Sequence, residues 1–192
     1  HDLRTPLTRL KLQLAMVNQK DISKNMSKDI DEMESMLNDY LQFAKTQVKE
    51  ETAKINLSNL FDEIKKSFNN ENLFLENIEE IILKGRMSAL KRCFENVIQN
   101  GLTYGKKVYV NFQKGSNIVT INIEDDGPGI PEDQHKNVFK PFVRLDKSRN
   151  LNQSSVGLGL AIVEDIINSH GGNIQLGKSK YNGLQVKISL PF

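Results

Sequence analysis

The chain reads as an α+β protein in two parts: a helical hairpin, then a mixed domain whose sheet is covered by helices on one side. Three observations carry this. Residues 1 to about 50 repeat apolar side chains every three or four positions, in two stripes parted by a polar patch. From Leu57 onward, helical and strand-like stretches take turns. Val108, Val110 and Phe112, then Val119, Ile121 and Ile123, alternate with polar residues, the pattern of half-buried strands.

The first stripe is Leu3, Leu7, Leu10, Leu14 and Val17. Pro6 falls inside it and is expected to kink the helix unless it lies in the first turn. A polar patch from Asn18 to Lys24 breaks the period. The second stripe runs through Met26, Ile30, Met33, Leu37, Tyr40 or Leu41, Ala44 and Val48. Two helices cannot enclose a core, so a homodimer completing a four-helix bundle is the simplest expectation. Packing of the hairpin on its own chain is the rival. Glu50 to Asn56 is polar and reads as a linker, which divides the chain into expected domains 1–52 and 53–192.

Leu57 to Phe68 reads as a helix with Leu60, Phe61, Ile64 and Phe68 on one face. Leu73 to Leu83 holds two short strand-like pieces, and Met87 to Tyr104 a long helix. Lys114 to Asn117 turns the chain between the two alternating strands. Pro131 to Ser155 is charged and aperiodic. Leu158 to Ser169 is helical and ends at His170-Gly171-Gly172. Ile174 and Leu176, then Leu184, Val186, Ile188 and Leu190, form a closing hairpin around Asn182-Gly183.

A net charge of only +2 argues against nucleic acid or a membrane surface as the main partner. Cys93 is the one cysteine, so no internal disulfide forms, which suits a reducing compartment. No run approaches the ~18 apolar residues of a spanning helix, and no signal peptide is visible. No direct membrane contact is therefore expected of this stretch. The chain begins at His1 and reads as a fragment with an upstream portion missing.

The chemistry gathers in four places. Glu124-Asp125-Asp126-Gly127-Pro128-Gly129-Ile130 ends a strand in acids and side-chain-free backbone. A carboxylate there can accept a hydrogen bond from a donor such as an adenine amino group, and the glycines let a flat ring lie close. Alone, the same letters describe an ordinary turn. Asn96 and Asn100 are four apart on one helix, along the edge of its Leu90, Phe94, Val97 and Gly101 stripe. An amide oxygen can ligate Mg²⁺, or the pair is simply solvated. Gly157-Leu158-Gly159-Leu160 leads into a helix whose first amides and dipole suit phosphate. It is no dinucleotide fingerprint, since Ile162 stands where a third glycine is needed. Finally, His1 carries an imidazole that can act as a nucleophile near pH 7, with Asp2 to hold one ring nitrogen. Thr5, one turn on, is placed to position a water.

In this order the pieces resemble the sensor histidine kinases of two-component signalling. His1-Asp2-Leu3-Arg4-Thr5-Pro6-Leu7 is similar to the His box, and Asn96-Val97-Ile98-Gln99-Asn100-Gly101 to the N box. Asp126-Gly127-Pro128-Gly129-Ile130 resembles the first glycine box, Phe139-Lys140-Pro141-Phe142 the F box, and Gly157-Leu158-Gly159-Leu160 the second glycine box. The run from Asp2 to Arg9, with Arg144-Leu145-Asp146 after Pro141-Phe142-Val143, is most similar to the EnvZ-like osmosensor class.

The resemblance implies a dimerisation and histidine phosphotransfer hairpin joined to a GHKL-type (Bergerat) α/β sandwich that binds ATP with Mg²⁺. It implies that Asp126 binds the adenine amino group, that Asn96 ligates Mg²⁺ and that Asn100 lies near the phosphates. Gly127, Gly129, Gly157 and Gly159 would shape the pocket and a lid at roughly 131–155. Tyr104, Ile130, Phe139, Leu158 and Leu160 complete the expected nucleotide site. His1 would accept the γ-phosphate with Asp2 as assisting base, and Thr5 would serve removal of phosphate from the partner. The implied partners are a response-regulator receiver domain and a second copy of the hairpin. The implied location is the cytoplasmic portion of an inner-membrane sensor.

Two positions depart from the family, which often has Ala at Gly101 and Lys or Arg at Thr103. Losing that cation removes a phosphate-neutralising charge, and Arg149 in the lid is the expected substitute. Thr103 motivates one alternative, a kinase-impaired regulator phosphatase or scaffold. Another GHKL-type ATPase is the second, against which the hairpin with its His-Asp-x-x-Thr-Pro run argues. His135 is expected on the lid surface, His170 at a helix end and Cys93 in the core.

Overall fold

The computed structural model describes residues 7, 8, 10, 14, 26, 27, 30, 31, 33, 37, 50–145 and 157–192. They fall into two compact units, the residues up to 37 in one and residues 50–145 with 157–192 in the other. The expectations for His1, Asp2, Thr5 and Arg149 lie outside the described residues.

In the first unit the described residues are helical, and both stripes contribute to one core. Leu7, Leu14 and Ile30 are buried together, with Leu37 packed against them. Leu10, Met26 and Met33 remain 43%, 46% and 55% exposed, so the stripes are wider than what this unit buries.

The second unit begins with β1 (Ala53–Asn56), which pairs antiparallel with β3 (Ile82–Gly85). The expected linker is therefore partly strand. Its composition is polar, but Ile55 is 1% exposed and anchors it. Asn56 then caps α1 (Leu57–Phe68), its Oδ1 accepting from Ser58 N at 3.0 Å and Asn59 N at 3.4 Å.

A five-stranded sheet runs in the order β2 (Leu73–Glu76), β4 (Val108–Lys114), β5 (Ile118–Asp125), β7 (Leu184–Pro191), β6 (Asn173–Lys178). Only β2–β4 is parallel, and the connection between them carries α2 (Met87–Tyr104). The last helix is α3 (Gly159–Ser169). Phe61 of α1 contacts Phe94 of α2 and Phe112 of β4, with ring centroids 4.6 and 5.2 Å away. Cys93 is fully buried there, and desolvation pushes its thiol far above the ordinary range.

The opposite sheet face is the polar one. Asn122 donates to Asn111 at 3.1 Å. Tyr181, from the β6–β7 turn, stacks on Tyr109 at 3.7 Å, and Tyr109 on Phe74 at 5.1 Å. Glu124, opposite Tyr109 in the ladder, is buried and accepts from Lys180 N. Among the described residues no helix is long and apolar enough to cross a membrane.

Candidate nucleotide site

Alternation along β5 decides which acid faces inward. Val119, Ile121 and Ile123 are buried on the helix side, and Asp125 stays in phase with them, opposite Val108 of β4. Asp125 Oδ1 accepts from Gly127 N at 2.8 Å and from Leu184 N at 3.0 Å. Both bonds fall on one oxygen, which orients the carboxylate and leaves Oδ2 for a further donor. Burial raises its carboxyl above the ordinary value, opposed by the amides of Leu184 and Gly127 and reinforced by Asp126.

The β6–β7 turn nests against the turn after β5. A Cβ on Gly183 would lie 2.2 Å from Asp125 Oδ1, 2.3 Å from its carbonyl oxygen and 2.6 Å from Gly127 N. No side chain fits there. Gly129 has φ +71°, which only glycine adopts without strain, and faces the Gly183 carbonyl.

Asp125 opens on a cavity of about 20 Å³ between Val97, Asn100 and Gly101 of α2, Ile123 of β5 and Leu160 of α3. That is room for about one water molecule. The Gly101 departure has a local cause, because a Cβ would lie 2.6 Å from Val108 Cγ2. The valine methyl takes the space an alanine needs.

Gly159 brings the start of α3 against the Asn100 amide, its Cβ position 3.5 Å from Nδ2. Leu158 is 4% exposed and anchors this entry. Gly157 has φ +76°, and a Cβ would meet Val143 O at 2.8 Å. Its carbonyl accepts from Phe142 N at 2.9 Å, which ties the chain before and after residues 146–156 together at their base. One turn before Asn100, Asn96 has a buried Nδ2 with no hydrogen-bond partner among the described residues.

The structure does not bring Asp126 to this cavity. Its carboxylate is on the other side of the strand, outside the cavity, with Oδ1 accepting from Lys106 N at 2.6 Å and Lys107 N at 2.8 Å. Those bonds close the turn from α2 into β4. The Lys107 amide is the main reason its carboxyl sits below the ordinary value. Asp125 is the acid that lines the cavity, and the phase of the strand is the signal in the sequence that points to it. Phe139 is also absent from the cavity and lines a surface groove with Lys136, Lys140, Ile174 and Leu176.

The remaining expected residues frame the site. The Tyr104 carbonyl lies against Gly127, while its side chain is exposed. The Ile130 carbonyl is 3.0 Å from His135 Nε2. Thr103 Oγ1 accepts from Gln99 Nε2. His170 is at the end of α3, as expected.

A one-sided α/β sandwich with an inward acid, two asparagines on one helix and a glycine-rich helix entry defines a nucleotide-binding class of domain. Residues 85–192 match the family described as histidine kinase-, DNA gyrase B-, and HSP90-like ATPase, and residues 1–48 match the His kinase A (phospho-acceptor) domain. The chain belongs to that ATPase family, in the arrangement of a sensor histidine kinase catalytic core. It is 33% identical over 210 residues to the sensor histidine kinase CpxA of Escherichia coli, covering 100% of this chain and 45% of that one. With the sensor histidine kinase GtrS of Pseudomonas aeruginosa it shares 31% over 198 residues, 100% of this chain and 40% of that one. The solved histidine kinase domain of the E. coli osmosensor EnvZ is 31% identical with a TM-score of 0.55, covering 76% of this chain and 90% of that one. The chain thus spans less than half the length of these curated relatives.

Proposed function

We propose that this chain is the catalytic core of an ATP-dependent protein-histidine kinase. It takes the γ-phosphoryl group of ATP onto His1 and passes it to an aspartate on a response-regulator receiver domain. Residues 1–52 act as the dimerisation and phosphotransfer hairpin and 53–192 as the ATP-binding domain. Asp2 assists as base at His1, and Thr5 serves dephosphorylation of the regulator. The phospho-acceptor match over residues 1–48 supports the phosphotransfer role of the hairpin. The apolar surface left at Leu10, Met26 and Met33 supports a homodimer through the hairpin. The chain is the cytoplasmic portion of a membrane sensor, a reading supported by its coverage of 45% of the CpxA sensor.

The observation that carries the nucleotide site is Asp125: buried, oriented by two amides and open on the cavity beside Asn100. Asp125, not Asp126, is the acceptor for the adenine amino group. The cavity of about 20 Å³ is smaller than a purine ring, so binding requires its walls, Leu160 among them, to move apart. Gly127 and Gly129 flank the base, and Gly157, Leu158 and Gly159 bring the α3 amides toward the phosphates. Arg149 adds a cation where Thr103 has none.

Asn96 fits Mg²⁺. A half-turn of its amide exchanges Nδ2 for Oδ1 at the unpartnered position, which presents an oxygen of the kind Mg²⁺ takes. When bound, Mg²⁺ neutralises charge on the phosphate oxygens during transfer.

Incubation with Mg²⁺ and γ-labelled ATP tests the reading. The expected product is an acid-labile, alkali-stable phosphate on His1 that passes to a receiver domain. Labelling that persists unchanged in His1→Gln refutes the assignment of His1.

A further inference from the structure

Helix α2 carries both asparagines of the site, so whatever fixes its N-terminus positions them. Arg86 stands at the capping position with suitable backbone angles, φ −94° and ψ 113°, but caps nothing with its side chain. The capping oxygens come from Glu50, 38 residues before Ser88. Glu50 Oε1 accepts from Ser88 N at 2.8 Å and Oε2 from Ala89 N at 3.3 Å. Those are the second and third residues of the helix, whose amides a local cap would satisfy. A carboxylate there also complements the helix dipole.

The reach of Glu50 follows from a ladder. Leu57 N donates to Ile81 O at 2.9 Å, Asn56 stands opposite Ile82, and Ala53 opposite Gly85. Continued three residues further, the same register sets Glu50 opposite Ser88. The far side of this joint is held too, since Arg86 N donates to His170 Nε2 at 3.0 Å and the Arg86 guanidinium to Ser169 Oγ. The chain arriving from residues 1–49 is thereby fastened to α2 about 11 Å along the axis from Asn96.

We propose that Glu50 is a positioning residue for phosphoryl transfer, fastening the chain that leaves the phospho-acceptor segment to the helix bearing the nucleotide-site asparagines. The proposal rests on the kinase reading above. Without the Glu50 bonds, α2 stays packed through Leu90, Phe94 and Ile98, all fully buried, and Asp125 keeps its own amides. Nucleotide affinity is therefore preserved. What changes is the tether, which then starts at Ala53 and gains three residues, roughly 10 Å of extended chain. Phosphoryl transfer tolerates little such slack, because a misplacement of about 1 Å can cost as much as ~100-fold in rate. Displacement of the chain before residue 50 would act on the same joint.

The test uses the full chain and compares wild type, Glu50→Ala, Arg86→Asp and the double variant. Aspartate at position 86 has the geometry to cap Ser88 and Ala89 locally, restoring the helix end without the tether. For Glu50→Ala the rate at saturating Mg-ATP should fall roughly tenfold, with KM for ATP and Kd for ADP within about twofold. The Tm should fall by about 2–4 °C. The double variant should regain the Tm and not the rate. Glu50→Gln, which keeps one accepting oxygen, should lie between wild type and Glu50→Ala. A rate unchanged in Glu50→Ala overturns the proposal, as does a rate that returns together with the Tm in the double variant. Wild-type protein that takes up no phosphate overturns the kinase reading itself, and the role of Glu50 with it.

Discussion

Replacing Asp125 by Asn separates the two adjacent acids by what each carboxylate does. In the free protein both amide bonds to Asp125 fall on Oδ1, and an asparagine keeps that oxygen for Gly127 and Leu184. It exchanges Oδ2 for an NH₂ group, so a donor would face the adenine amino donor. The loss is one charge-assisted hydrogen bond, about 1.5–3 kcal/mol, with an added penalty of about 1–3 kcal/mol for an unsatisfied donor. A total near 3 kcal/mol raises the ADP Kd by about 150-fold. Folding should not suffer. Burial raises the Asp125 carboxyl, so the charged group costs stability as pH rises from its unfolded value through its folded one. Asp125→Asn removes that dependence and leaves the ligand-free Tm equal or higher. Asp126→Asn retains Oδ1 for Lys106 and Lys107 and should leave ADP affinity within about 0.5 kcal/mol, with a slightly lower Tm, because the amides that lower its carboxyl favour the charged form. Titration calorimetry with ADP, paired with thermal melts, reads both variants. An Asp126→Asn protein that loses ADP while Asp125→Asn binds it normally would refute the assignment.

Gly183→Ala forces a methyl into the Asp125 carboxylate and the Gly127 amide, so a loss of about 2–3 kcal/mol is expected in chemical denaturation, with weaker ADP binding. A fully stable variant with wild-type affinity would show that the two turns do not nest as described. His170 accepts from Arg86 N through Nε2, and its Nδ1 is 2.7 Å from Ile166 O, which fixes the neutral ring. Burial first, then Arg86, lowers its pKa, while the Ile166 bond and Glu50 oppose this. Its contribution to stability is present above the unfolded value near 6.5 and is lost as pH falls from there through the folded value. Denaturation series from pH 7.5 down to 5.5 should show wild type losing more stability than His170→Gln. Identical slopes would contradict it.

What the sequence made legible was local. The period of three to four from Met87 to Tyr104 and the alternation along β4 and β5 follow from which face is buried; the structure keeps the helix bounds and extends the strands to Lys114 and Asp125. Glycine followed by a helix located the α3 entry for the same reason. Asp-Gly-Pro-Gly, taken as a unit of letters, points to Asp126, whose carboxylate the structure sets outside the cavity. The two-residue period of the strand, carried one step beyond Ile123, already sets Asp125 inside and Asp126 outside. Glu50 and Gly183 belong to a different category. Each meets partners brought close only by the fold: Ser88 across the β1–β3 ladder, Asp125 across two turns. A polar stretch whose apolar residues are Ala53 and Ile55 cannot announce itself as a strand, and a glycine in a hairpin turn has its own local excuse. Both matter through atoms far away in the chain, so they become visible only once register and close approach are known. The asparagine helix is thus held at both ends by residues outside itself. A carboxylate from the incoming chain caps its start, and Asp126 from the end of β5 receives the amides just past its last turn.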